Sequence, residues 1–115
     1  MKTSIIKDKS YAFALRIIAL ARWLREAKQF ELASQVMRAG TGIGANVEEA
    51  QAGVSRADFV AKMGIASREA RETNYWLRLL RDSKTVPVTR ITPLIDESLE
   101  LVRILTAIVK TGQQR

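Results

Sequence analysis

The sequence predicts an all-α protein, a single domain over residues 1–115 that folds as an antiparallel up-down-up-down four-helix bundle. Apolar residues recur at spacings of three and four through most of the chain, which is the period of a helix with a buried face. Evidence for strands is nearly absent, and the six glycines and two prolines interrupt the helical pattern at few places. The intervening segments are short, so we expect consecutive helices to be antiparallel neighbours.

The first helix is predicted to begin at Lys7 or Ser10 and to end at Ala27. One apolar stripe has the spacing of a buried helix face and consists of Phe13, Ile17, Leu20 and Leu24. A second stripe lies on another side of the same helix and consists of Tyr11, Leu15 and Ile18. Because a helix with two apolar sides buries both, we expect one side in the core and the other against a partner subunit.

The other three helices follow from the same periodicity. Their predicted ranges are Phe30 or Glu31 to Gly53, Ser55 to Asp82, and Thr89 or Thr92 to Gly112. Ser55 is a suitable N-cap for the third helix, and Thr89 or Thr92 is expected to cap the fourth, with Pro93 in its first turn, where a missing N–H costs little. The third helix also carries apolar residues away from its core stripe, which again indicates a second buried surface: Ile65, Trp76 and Leu79.

Three glycines at alternate positions, Gly40, Gly42 and Gly44, resemble a phosphate-binding loop. A P-loop, however, has a lysine and a hydroxyl residue directly after its last glycine, whereas Ala45 and Asn46 follow here. The segments around the run are helical in period, and no strand precedes it, as a dinucleotide fingerprint requires. We therefore interpret the run as a small-residue helix face against which another helix packs closely.

Composition excludes several kinds of catalytic site. The chain has no cysteine and no histidine, so it lacks thiolates, the commonest general base and the commonest metal ligand. We therefore predict no enzymatic activity, no cofactor and no metal.

No apolar run approaches the length of a membrane span, and the N-terminal residues lack the pattern of a signal peptide. These features predict a cytoplasmic protein.

Basic residues exceed acidic ones, giving a formal net charge of +7. An excess of this size favours polyanionic partners such as RNA, DNA or an acidic protein surface; the alternative is a solvated surface that only keeps the net charge away from zero. The excess is largest within residues 1–30, which carry most of the candidate nucleic-acid contacts: Lys7, Lys9, Arg16, Arg22, Arg25 and Lys28.

A second candidate stripe lies on the third helix and consists of Arg71, Asn74 and Arg78. Arginine offers bidentate geometry for phosphate. Trp23 and Tyr75 are candidates for stacking on unpaired bases, although aromatic side chains on helices also serve as interface anchors.

Asn46 and Glu49 share a helix face and form the other polar pair of interest. Without a histidine, cysteine or metal beside them, they are weak candidates for catalysis. We expect a structural cluster instead, with Glu49 paired to an arginine such as Arg38 and Asn46 bonded to backbone groups.

The chain resembles the four-helix-bundle family related to the 23S ribosomal RNA intervening-sequence protein, over about residues 10 to 110. The residues that match the family's motifs are Arg38, Ala39, Ile43, Asn46, Glu49, Phe59, Ile65, Ala66, Glu72 and Leu77. Three positions depart from its usual pattern, namely Gly42, Ala50 and Glu69.

The resemblance implies a bacterial protein without catalytic activity. A similar protein is the accessory variability determinant of diversity-generating retroelements, a basic pentameric bundle that binds nucleic acid and a reverse transcriptase. The similarity to this protein implies a ring-shaped homo-oligomer, for which we expect five subunits. We therefore predict a bundle that binds nucleic acid, RNA in preference to DNA, through a basic surface. The alternative is a protein-interaction adaptor whose basic face binds an acidic partner such as a nucleic-acid enzyme.

Overall fold

Four long helices connected by short turns form the molecule. The computed structural model describes the backbone of residues 2–114 and the side chains of residues 5–114. The helices are α1 (Lys2–Glu26), α2 (Phe30–Gln51), α3 (Arg56–Asp82) and α4 (Val88–Gln113). Within residues 2–114 there is no strand, and no helix is both long and apolar enough to span a membrane.

Each helix packs against the next one in the sequence, and α4 returns beside α1, which is the up-down-up-down arrangement predicted. The molecule is elongated, and its Cα atoms extend over 46 × 20 × 19 Å along the three principal axes. Helices α1 and α3 are diagonally opposite, as are α2 and α4. The α1–α2 and α3–α4 turns therefore share one end of the bundle, and the α2–α3 turn lies at the other.

The predicted core stripes are buried. In α1 the buried face includes Phe13, Ile17, Leu20 and Leu24, each at most 1% exposed. Ile6 extends that face by two turns and is fully buried, which explains why α1 begins at Lys2 and not at the predicted Lys7 or Ser10. The other helices contribute Val36, Ile43, Met63, Leu77, Leu80, Ile91, Leu101 and Leu105 to the same core.

The glycine run lies within the continuous helix α2, so its interpretation as a close-packing face is confirmed. A Cβ atom at Gly40 would lie 2.7 Å from Ile17 Cγ1 of α1, and one at Gly44 would lie 3.3 Å from the backbone oxygen of Ser10. At Gly42 the Cβ would instead lie 2.9 Å from a carboxylate oxygen of Glu69 on α3. The glycines at alternate positions therefore allow close packing against two helices, because Gly40 and Gly44 face α1 and Gly42 faces α3.

Helix α3 begins as predicted, since the Ser55 hydroxyl accepts a hydrogen bond from the Asp58 N–H at 3.1 Å. The predicted cap of α4 is wrong, and Pro93 lies inside the helix, beyond its first turn. The helix begins at Val88 after Pro87, and the Thr92 hydroxyl donates to the Val88 carbonyl at 2.8 Å within the helix. A proline ring fixes φ near the helical value, so Pro87 can lead into α4 without a side-chain cap.

Helices α1 and α3 both end in a Schellman motif with a lysine in the left-handed conformation. Lys28 has φ 63° and Lys84 has φ 61°. Gln29 N–H donates to the Leu24 carbonyl at 2.8 Å, and Thr85 N–H donates to the Leu80 carbonyl at 3.1 Å. Glycine is the usual residue at this position, and a residue with a Cβ atom there costs about 1 kcal/mol.

The second apolar stripe of α1 is exposed at Tyr11 and Leu15, whereas Ile18 is half-buried. Tyr11 is 63% exposed and Leu15 is 55% exposed. On α3, Leu79 is 38% exposed, whereas Ile65 and Trp76 are half-buried. The predicted second surface therefore exists as an uncovered apolar strip, most marked on α1.

Candidate nucleic-acid interface

Basic side chains from α1, α3, α4 and the two connecting turns lie together at one end of the bundle. It is the end that holds the α1–α2 and α3–α4 turns. Residues 22–31 and 78–90 together contain seven lysines and arginines against three acidic residues. We call this surface the basic end, and its members are Arg22, Arg25, Lys28, Arg78, Arg81, Lys84 and Arg90. All are exposed except Arg81, which is half-buried.

Among the side chains that the structure describes, the opposite end carries little net charge. Residues 5–9, 48–62 and 100–114 contain six basic and five acidic side chains. Lys7, a predicted nucleic-acid contact, lies at this end, and its Nζ is 3.9 Å from a carboxylate oxygen of Glu48. Among the described side chains, the basic excess is therefore larger at the basic end.

Two more predicted contacts are engaged between α1 and α4. Lys9 Nζ lies 3.2 Å from Glu100 Oε1. Arg16 Nε donates to Glu97 Oε1 at 2.8 Å, and this hydrogen bond is the main reason that the pKa of the Arg16 guanidinium is raised. Both cations bridge the most loosely packed pair of adjacent helices, and much of their charge is neutralised there.

The predicted stripe on α3 divides into exposed and buried parts. Arg71 donates to the Ser67 hydroxyl at 2.9 Å and lies in the middle of the helix. Asn74 is only 8% exposed, and its Nδ2 donates to the Ser98 hydroxyl of α4 at 3.0 Å. Its Oδ1 accepts from Arg78 Nε at 2.9 Å. Asn74 is thus removed from the set of direct contacts, and it positions the guanidinium of Arg78 at the basic end.

The structure adds three basic residues that sequence reasoning missed. Arg81, Lys84 and Arg90 lie about 60 positions away from Arg22 and Arg25 in the sequence, and only the return of α3 to the same end brings them together. The predicted topology could have indicated that these residues lie near Arg22 and Arg25, because two turns of an up-down-up-down bundle lie at the same end.

Acidic residues neutralise little of the basic end. Among the described side chains, Arg81 is the one member with an acidic partner within 4 Å, and its Nε lies 2.7 Å from Asp82 Oδ1. The hydrogen bond from Arg81 holds the pKa of the Asp82 carboxyl below its usual value. The other six cations have no such partner among residues 5–114.

Aromatic rings lie next to these cations. The Arg90 guanidinium carbon is 5.6 Å from the centre of the Trp23 ring, and that of Arg78 is 5.8 Å from the centre of the Tyr75 ring. Trp23 is half-buried against the core, whereas Tyr75 is 49% exposed. Of the two predicted stacking residues, Tyr75 has the more accessible ring.

The residues that match the family motif form a structural cluster between α2 and α3. Arg38 forms ion pairs with Glu72 and Glu69, the latter at 3.5 Å. The predicted pairing of Arg38 with Glu49 is wrong, because eleven residues of the same helix separate them by about 16 Å along its axis. Trp76 Nε1 donates to Glu72 at 3.0 Å, and this bond chiefly lowers the pKa of the Glu72 carboxyl.

The remaining motif residues support the packing of α2. Ala39 and Ile43 are fully buried. Asn46 Nδ2 donates to the Gly42 carbonyl at 2.8 Å, as predicted for a residue that bonds to the backbone. Glu49 is exposed, while Phe59 is half-buried against the core. This part of the motif thus maintains the fold.

Comparison with known proteins identifies the chain's relatives. Residues 2–107 match the family model of the 23S rRNA-intervening sequence protein. A crystal structure from Bacteroides thetaiotaomicron VPI-5482, described as a protein with unknown function from the S23 ribosomal protein family, superposes with a TM-score of 0.91 at 42% sequence identity. The match covers 96% of this chain and 99% of that one. No curated protein matches significantly. The chain therefore belongs to the 23S rRNA-intervening sequence protein family.

Proposed function

We propose that this protein is a non-enzymatic nucleic-acid-binding bundle whose basic end contacts the phosphate backbone. The observation that carries the proposal is the cluster of cations at the basic end, with seven basic against three acidic residues. The description of its family names 23S rRNA, so RNA is the preferred ligand.

Backbone contact is favoured over base recognition by the chemistry of the basic end. Its cations are long and mostly exposed, and they surround an end only about 20 Å across, as the Cα extents of 20 × 19 Å show. Phosphate contacts of this kind orient a protein on nucleic acid without reading its sequence. The affinity should then fall steeply with salt and depend little on base composition.

The protein acts as a homo-oligomer in this proposal, with five subunits expected from the family resemblance. The supporting observation is the apolar strip of α1, where Tyr11 and Leu15 are both more than half exposed. Contiguous apolar surface of this kind commonly marks an interface. Light scattering at micromolar concentration tests the assembly, and a mass equal to the 12.9 kDa chain would reject it.

Charge-matched variants test the binding site. Replacing Arg22 and Arg25 by glutamine removes two cations from the basic end, and replacing Arg56 and Lys110 removes two from the opposite end. Both variants keep the same net charge and alter exposed side chains. We expect the first pair to weaken binding of random-sequence RNA and DNA and to flatten the salt dependence, and the second pair to have a much smaller effect.

The comparison requires that both variants assemble as the wild type does, which light scattering verifies. Equal losses in the two variants would show that total charge, and not the basic end, determines binding. If the wild-type protein retains neither RNA nor single-stranded DNA at low salt, the nucleic-acid proposal is wrong. An acidic protein partner for the basic end would then be the better hypothesis.

A further inference from the structure

Lys28 and Lys84 have the same left-handed backbone conformation at equivalent positions of two helix ends. The sequence alone does not indicate this. Lys28 lies two residues after the end of α1 and Lys84 two residues after the end of α3, and each occupies the position of a Schellman motif that is most often glycine. The hydrogen bonds match at both sites: Lys28 N–H donates to the Arg25 carbonyl at 2.9 Å, and Lys84 N–H donates to the Arg81 carbonyl at 3.1 Å. The two helix ends are therefore built alike.

Glycine is present in the chain but not at these positions. Within the described residues, Lys28 and Lys84 are the two non-glycine residues with positive φ, and no glycine has positive φ. The α2–α3 turn at the opposite end contains Gly53 and uses no left-handed residue. Lysine therefore adopts the left-handed conformation, which glycine adopts most easily, at two positions, and both are at the basic end.

The positions of the two lysines suit a ligand that covers the end of the bundle. Because α1 and α3 are diagonally opposite, Lys28 and Lys84 lie at opposite corners. Adjacent helices pack 8–10 Å apart, so the corners are separated by about 13 Å. Both lysines are exposed and have no acidic side chain within 4 Å among residues 5–114.

We infer that Lys28 and Lys84 form a two-point clamp for the phosphate backbone of a polynucleotide, and that their left-handed backbone sets the direction in which each side chain leaves the helix end. This inference rests on the proposed function and names two of its contact residues. It also explains why two strained positions carry lysine where glycine would relieve the strain.

Two double variants separate charge from backbone strain. Lys28→Gly with Lys84→Gly removes both ammonium groups and relieves the left-handed strain. Lys28→Gln with Lys84→Gln removes the same charges and leaves the strain. The matched control is Arg56→Gln with Lys110→Gln, which removes two cations from the opposite end. Binding is measured by fluorescence anisotropy over a salt series, with a random single-stranded RNA and with a DNA duplex.

For wild type and variants, the slope of log K against log salt reports the number of phosphates neutralised. For each subunit that contacts the probe, both lysine variants should reduce its magnitude by about 1.4 on single-stranded RNA, which is about 0.7 for each phosphate lost, and by about 1.8 on the duplex. The control should leave the slope almost unchanged. The glycine variant should also melt at a higher temperature than wild type, whereas the glutamine variant should not.

The outcomes distinguish this inference from the proposed function. If wild type binds and both lysine variants keep its slope, the clamp is wrong while the proposed function survives. If the glycine variant melts at a lower temperature than wild type, the lysines are not strained, and the backbone argument is wrong. If wild type binds neither probe at low salt, the proposed function and the clamp are both rejected.

Discussion

At the scale of single residues, the effect of substituting a glycine depends on which atoms the added side chain would contact. Gly44 faces the backbone of α1, which cannot move aside without shifting the helix. Gly64 lies within α3, and nothing is within 4 Å of a Cβ atom built there. Glycine in a helix interior is destabilising by roughly 0.5–1 kcal/mol relative to alanine. The two positions should therefore respond to substitution in opposite directions.

The substitution Gly44→Leu should destabilise the protein. A leucine side chain would overlap the Ser10 carbonyl, which lies 3.3 Å from the position of a Cβ atom. Overpacking of this kind costs about 1–3 kcal/mol, occasionally more. Thermal or chemical denaturation measures the change, and a variant as stable as wild type would show that the α1–α2 crossing is looser than described.

The substitution Gly64→Ala should stabilise the protein by roughly 0.5–1 kcal/mol, because it reduces the entropy of the unfolded chain without a clash in the folded one. The same denaturation experiment measures it, with Gly40→Ala as the control. A Cβ atom at Gly40 would lie 2.7 Å from Ile17 Cγ1, so the control should lose stability. A loss at both positions would contradict this account.

At the scale of helices, the contacts differ in kind between neighbouring pairs. Helices α1 and α2 approach closely at small residues, whereas α2 and α3 are joined by the Arg38 ion pairs with Glu69 and Glu72. Helices α1 and α4 leave a seam with cavities of about 210 to 440 Å³, bridged by Arg16 and Lys9. The bundle is therefore most open between its first and last helices.

The contact between α2 and α3 should depend on pH through Glu72. The hydrogen bond from Trp76, together with Arg38, lowers the pKa of this carboxyl below its ordinary value of 4.5. A group whose pKa is lowered by folding stabilises the protein above its unfolded pKa, and that contribution is lost as the pH falls through the folded pKa. The loss should therefore begin as the pH drops below about 4.5.

The variant Glu72→Gln isolates this effect. It should be less stable than wild type at pH 7, and the difference should shrink at pH values below the ordinary pKa of 4.5. Urea denaturation at pH 7 and at acidic pH gives both differences. An equal difference at the two pH values would mean that ionisation of Glu72 contributes nothing to the α2–α3 contact.

The helices themselves were largely predictable from sequence, because their core stripes follow one period. The start of α1 was missed although Ile6 lies seven residues before Phe13 and belongs to the same stripe. The start of α4 was misassigned to a threonine cap, since Pro87 offers no hydroxyl to indicate a helix boundary. Capping rules identify helix starts only where a side chain serves as the cap, as Ser55 does.

At the scale of the whole molecule, folding brings basic residues that are far apart in the sequence together at one end. The candidate contacts on α1 were predicted as one group, but the fold separates them. Lys7 lies at the opposite end and Lys9 and Arg16 are paired across the seam, while Arg22 and Arg25 belong to the basic end. Sequence composition predicts a net charge, whereas its arrangement depends on which turns share an end.

The most direct test of the central claim is to map where RNA touches the assembled protein. Ultraviolet crosslinking to random-sequence RNA at low salt, followed by mass spectrometry of the crosslinked peptides, gives the contact sites without altering any residue. The account predicts that crosslinks fall within residues 22–31 and 78–90, which include the exposed side chain of Phe30 and the basic end. Crosslinks concentrated in residues 48–62 or 100–114 would contradict it.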